Sequence, residues 1–167
     1  MNATEEPLDG NVASSLPGAA REGAELAGVN AYEDPLRVVT GVNEFLVPPG
    51  RQGAIRTRGA SLGRDLWTDW ALPLGSLWGE TLGRRFDWCW ISMVQHDHDD
   101  FRVVAVANED RSLVVYPFHY CFGCLANDVY LTVLLAYNML EAGKVPAQPA
   151  GGYLNLMDGV RHVVPPA

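Results

Sequence analysis

Residues 87 to 116 carry three apolar runs separated by two short polar connections, and nothing else in the chain restricts the fold as tightly. The runs are DWCWISMV (87–94), FRVVAVA (101–107) and SLVVY (112–116), and the connections are QHDHDD (95–100) and NEDR (108–111). Each run is rich in β-branched or aromatic residues and has the length of a strand. Connections this short join antiparallel neighbours, so the three runs are expected to form a meander. In the first run Trp88, Trp90, Ser92 and Val94 alternate with Cys89, Ile91 and Met93, so both faces are mostly apolar, as in a strand inside a sheet.

Helical spacing flanks this block. Before it, Asp34 is a capping residue and Pro35 suits a first helical position, and Val38, Val39, Val42, Phe45 and Leu46 recur at helical intervals until Pro48 and Pro49. From Leu66 to Phe86, residues Trp67, Trp70, Leu74, Leu77, Trp78 and Leu82 share one broad face, with Pro73 as a break, which predicts one or two helices. After it, Pro117 ends the third strand. VYLTVLLAYNML (129–140) follows the capping residues Asn127 and Asp128 and precedes Gly143, which predicts a buried helix. In YLNLMDGVRHVV (153–164), Asp158 and Gly159 between two apolar stretches predict a short hairpin.

Residues 1 to 29 are rich in Ala, Gly, Pro, Ser and Glu and poor in large apolar side chains, so they are expected to form a disordered acidic tail. Residues 30 to 167 are expected to form one domain, a size that buries a core without disulfides. The expected fold class is therefore α+β: helices packed on one face of a small antiparallel sheet, with a disordered N-terminal tail.

The 167 residues carry a formal net charge of −8. Residues 1 to 34 hold seven acids against Arg21, so most of the excess belongs to the N-terminal segment. Nucleic-acid binding is disfavoured, because a phosphate backbone needs a concentrated basic face. Arg51, Arg56, Arg58 and Arg64 come nearest to one, and without interleaved aromatics they read as a solvated loop. No run of eighteen apolar residues exists, and the acidic start MNATEEPLDG is unlike a secretory signal. With three cysteines, Cys89, Cys121 and Cys124, a disulfide framework is not expected. The expected location is cytoplasmic, with no membrane partner and no cofactor.

Candidate chemistry concentrates in QHDHDD. In an extended segment His96 and His98 would lie on one side and Asp97 and Asp99 on the other, and two histidines at i and i+2 can share a metal ion. A third ligand would have to come from His119, His162 or a cysteine. A polar hairpin loop needs nothing further and is preferred. CFGC (121–124) has the spacing of a zinc or redox pair but lacks a second pair or a βαβ setting, and so reads as two partly buried cysteines on a short helix. Asp65 and Asp69 read as solvated helix carboxylates. Glu80 is either a buried acid or base or, preferably, a partner for Arg84 one turn later. No nucleophile elbow, phosphate-binding loop, HExxH or calcium loop is present. The five tryptophans default to core.

Taken together, LWGETLGRRFDWCW and VVAVANEDRSLVVYPFHYCFGCL resemble a group of small bacterial cytosolic proteins in which a WGE helix, a W-x-W strand and a YPF strand end recur. The matching positions are Trp78, Gly79, Glu80, Trp88, Trp90, Ser112, Tyr116, Pro117 and Phe118, within residues 66 to 164. Such proteins are similar in style to immunity proteins of toxin systems. With a well-formed scaffold but no catalytic constellation or cofactor motif, the expected function is a non-enzymatic binding domain, and the resemblance points to an immunity protein that neutralises a cognate toxin by occlusion. Asp97, Asp99, Asp100, Glu109 and Asp110 are the expected partner-binding residues, the first three carrying most of the contact because adjacent meander loops lie at opposite ends of a sheet. The alternative is a metal-dependent enzyme or metal-binding regulator using His96 and His98.

Overall fold

A computed structural model of the chain describes residues 3–46, 65–96, 101–126 and 133–161. Strand β1 (Ala3–Glu6) leads into helix α1 (Gly10–Ala27), followed by α2 (Pro35–Leu46). A single π-helical turn (Leu66–Ala71) runs directly into α3 (Leu72–Phe86). Strands β2 (Cys89–Gln95), β3 (Phe101–Ala107) and β4 (Leu113–Val115) come next, then α4 (Pro117–Ala126), α5 (Val133–Glu141), β5 (Leu154–Asn155) and α6 (Leu156–Arg161). The sheet order is β1-β2-β3-β4-β5, antiparallel except for the parallel β4–β5 pair. The fold is α+β, and the three-strand meander lies at its centre.

The N-terminal segment departs from the expected tail. Asp9 caps α1 by accepting from the backbone N–H of Asn11 and Val12, and Gly28 closes it at φ 67°. Leu16, Ala20, Gly23 and Ala24 are buried on one face, and α1 packs along α3 more extensively than any other pair of helices meets. What replaces large side chains is closeness. A methyl group at Gly23 would overlap the Pro73 carbonyl, so only glycine lets the two helix backbones approach this far. Small residues thus bury backbone and Cβ surface that a search for large apolar side chains does not register.

The main core lies between the helices and the sheet. It joins Val38, Val39 and Val42 of α2 to Leu74, Leu77 and Trp78 of α3, and reaches Trp88, Val106 and Val115 at the sheet. A second, smaller cluster occupies the other face, where Ile91, Met93, Val103, Ala105 and Val114 pack with Tyr116 and Tyr153. The sheet curls around this cluster. Its closure is visible in Glu5 of β1, whose carboxylate accepts from Arg111 (Nε 2.7 Å, Nη2 3.1 Å) and from the Tyr153 hydroxyl (3.0 Å), although Arg111 and Tyr153 belong to the turns that precede β4 and β5. Arg111 and Tyr153 both adopt positive φ (59° and 45°), a strained conformation that their shared bond to Glu5 helps to hold.

This closure has a pH signature. The Arg111 guanidinium holds the Glu5 carboxyl below its ordinary value of 4.5. The folded state therefore binds this proton less readily than the unfolded chain does. The stabilisation is complete above about pH 4.5 and is lost as the pH falls through the depressed folded value. Urea midpoints of the wild type and Glu5→Gln are expected to differ most at pH 6–7 and to converge towards pH 3. A constant gap across that range would show that Glu5 acts through something other than its charge.

One C-terminal expectation changes. No hairpin turns at Asp158 and Gly159, since both lie inside α6. Leu154 and Asn155 instead pair in parallel with Leu113 and Val114, and the Asn155 side chain accepts from the Met157 N–H to start α6, which buries Leu156 and Met157. The apolar residues that would have formed the first hairpin strand are used by β4 and the core. The helix expected over 129–140 is present as Val133–Glu141, and its expected caps at Asn127 and Asp128 lie outside the described residues.

Candidate interaction site

At the end of the sheet where β3 begins, an aromatic surface is left open. Phe101 is 51% exposed and Phe122, on α4, 37%. They are joined through two further rings in edge-on contact: Phe101 to His119 (6.1 Å), His119 to Trp67 (5.1 Å) and Trp67 to Phe122 (5.5 Å). Three elements build this chain of rings: β3, α4 and the π-helical turn. Asp65 fixes that turn, accepting from the N–H groups of Trp67 and Thr68, while its own N–H bonds to Asp69. Asp65 and Asp69 are therefore local scaffolding for Trp67. His119 lies edge-on between Trp67 and Phe101 and remains exposed, and the partial burial of its ring lowers its pKa below the ordinary imidazole value.

Two cavities flank the Phe101–His119 pair. One, of about 360 Å³, opens towards α1 and is mainly apolar, with Val12, Leu16, Trp67 and Phe118 in its wall. The other, of about 320 Å³, opens towards α6, with Tyr116, Tyr120, Asn155 and Asp158. Both lie in the size range of small-ligand or side-chain pockets.

Gly79 and Glu80, Trp90 and Phe118, from the WGE, W-x-W and YPF segments, form one packing unit behind this surface. The Trp90 ring lies where a side chain at Gly79 would be and stacks on Phe118 (5.5 Å, 21°), and its indole N–H donates to Glu80 (2.9 Å). Glu80 thus serves as acceptor for Trp90, while Arg84 lies over the Tyr32 ring at 5.7 Å. This geometry gives the carboxylate a structural partner in Trp90.

The expected loop residues are distributed as follows. Asp97, His98, Asp99 and Asp100 lie outside the described residues, as do His162 and Arg51, Arg56, Arg58 and Arg64. His96 is exposed, with its ring 3.1 Å from the Thr4 hydroxyl. Glu109 and Asp110 are exposed in the β3–β4 turn, at the opposite end of β3 from Phe101. There Asp110 accepts from the Ser112 N–H and Asn108 from that of Leu113, so the turn is held by its own side chains. Hydrogen bonds from Ser112 hold the Asp110 carboxyl below its ordinary range. Cys121 and Cys124 are buried on α4. Burial pushes the Cys121 thiol well up and that of Cys124 to about 11, so neither is a thiolate at neutral pH. Among the described residues no three His, Cys, Asp or Glu side chains gather where an ion could be held, and no helix is long and apolar enough to cross a membrane.

Sequence reading missed the Phe101 surface. The sequence places Phe101 at the head of the second β run and Trp67 by default in the core, whereas in the structure the first two residues of β3, Phe101 and Arg102, are exposed and Val103 is buried. Compared with known protein families, with curated proteins and with solved structures, the chain matches none.

Proposed function

We propose that the chain is a non-enzymatic protein-binding domain whose contact face is the aromatic surface around Phe101, and that it serves as an immunity protein occluding a cognate bacterial toxin. The observation that carries the binding reading is the continuous ring chain Phe101–His119–Trp67–Phe122, open at its two ends and flanked by cavities on both sides. Large aromatic side chains at the surface, beside concave pockets, are the usual energetic anchors of protein interfaces. Asp97, Asp99 and Asp100 immediately precede Phe101 in the chain and supply acidic charge, which governs encounter with a basic partner more than final affinity. Glu109 and Asp110, at the other end of β3, are secondary in this reading.

Photo-crosslinking in cells tests it. A benzophenone side chain placed at Phe101 or at Phe122 is expected to trap the same single protein, whereas one at the still more exposed Tyr32, on the α1–α2 turn, is expected to trap nothing in common. Absence of a shared adduct at Phe101 and Phe122 would remove the reading.

A further inference from the structure

The cavity between Phe101 and α6 differs in chemistry from its neighbour, and that difference says what enters it. We infer that this cavity receives a lysine or arginine side chain of the protein partner, so that the interface has a cationic anchor. The inference rests on the protein-binding reading and names the group recognised.

Three rings, Phe101, Tyr116 and Tyr120, line a space of about 320 Å³ together with His119, and Asp158 and Asn155 supply a carboxylate and an amide. No lysine or arginine is among the described residues that line it. Aromatic faces carry negative quadrupole charge that attracts a cation, and a carboxylate beside them adds the neutralising charge that a buried ammonium or guanidinium needs. Among the described residues the neighbouring cavity lacks this combination: its wall contains Arg102 and no carboxylate. With its pKa held below the usual imidazole value, His119 is neutral near pH 7 and adds no opposing charge. The chain's formal charge of −8 favours approach of a basic partner in the same sense.

The probes are the N-acetyl methylamides of arginine, lysine and citrulline, citrulline being the neutral counterpart of arginine. They are titrated into the full chain while amide and aromatic resonances are followed. Arginine or lysine is expected to shift Phe101, Tyr116, Tyr120 and Asp158 saturably, at the roughly 1–10 mM affinity of a lone side chain. Citrulline is expected to bind at least about fivefold more weakly, and Asp158→Asn, an exposed position whose thermal midpoint should not move, to remove about that same factor. Equal binding of citrulline, or no saturable shift at these residues, would overturn the inference. So would 1,4-diaminobutane binding about tenfold tighter than either amide, because the cavity would then be a site for a small free amine. The two readings fail separately. Loss of the cationic preference with the Phe101 and Phe122 adducts intact removes only the anchor, whereas loss of the adducts removes the binding face itself.

Discussion

Deleting residues 1 to 28 is expected to abolish cooperative folding. The deletion removes β1, which pairs with β2 from Ala3↔Gln95 to Glu6↔Ser92, and with it the Glu5 carboxylate that holds Arg111 and Tyr153. It also removes α1, and so uncovers the side of α3 around Pro73 and Leu77 against which Gly23 is pressed. Burying one leucine-sized side chain contributes roughly 1.5–3 kcal/mol. Loss of Leu16, Ala20 and Ala24, and exposure of the surfaces they cover, therefore approaches the roughly 5–15 kcal/mol by which a domain is stable. Circular dichroism should show a broad, non-cooperative melt. A sharp transition within about 4 °C of the full chain, equivalent to about 1 kcal/mol at this length, would show that α1 is dispensable.

Trp90→Ala is expected to cost about 3–5 kcal/mol, the range for removing a large aromatic side chain from a packed site. Three separate losses combine at this position. The ring no longer fills the space above Gly79, the stack on Phe118 disappears, and Glu80 loses the indole N–H that it accepts. Trp90→Phe keeps a ring against Phe118 but removes the donor. It is expected to retain part of the stability, and adding Glu80→Leu to it should recover some of the remainder, because an unmatched partly buried carboxylate is costlier than an apolar substitute. Chemical denaturation of the three variants measures this. A shift below about 1 kcal/mol for Trp90→Ala would place the indole outside the packing unit.

The elements that were legible in the sequence are those whose signals are strong and local. The meander follows from three β-rich runs with short polar connections, and α2 from Asp34, Pro35 and a helical valine pattern. Helix α1 was hidden because its burial depends on Ala20, Gly23 and Ala24, whose value lies in their smallness next to α3 and appears only when α3 is placed beside them. The Asp158–Gly159 turn signal was overridden because Leu154 and Asn155 had a sheet edge at β4 to join. The aromatic surface was hidden for a related reason. Phe101, His119, Trp67 and Phe122 are spread over 56 residues of sequence, and only the fold brings their rings into one chain. The acidic loop drew attention because its residues are adjacent in sequence, whereas the aromatic surface has no such contiguity.

Affinity for the protein trapped at Phe101 and Phe122 tests the binding face most directly. Calorimetric titration compares the wild type with the double variant Phe101→Ser, Phe122→Ser, both positions being exposed, so that the fold should survive the change. Loss of two aromatic anchors is expected to weaken binding by at least about 100-fold, with an unchanged thermal midpoint. Affinity preserved to within about threefold, with the variant folded, would contradict the assignment and move the contact elsewhere on the molecule.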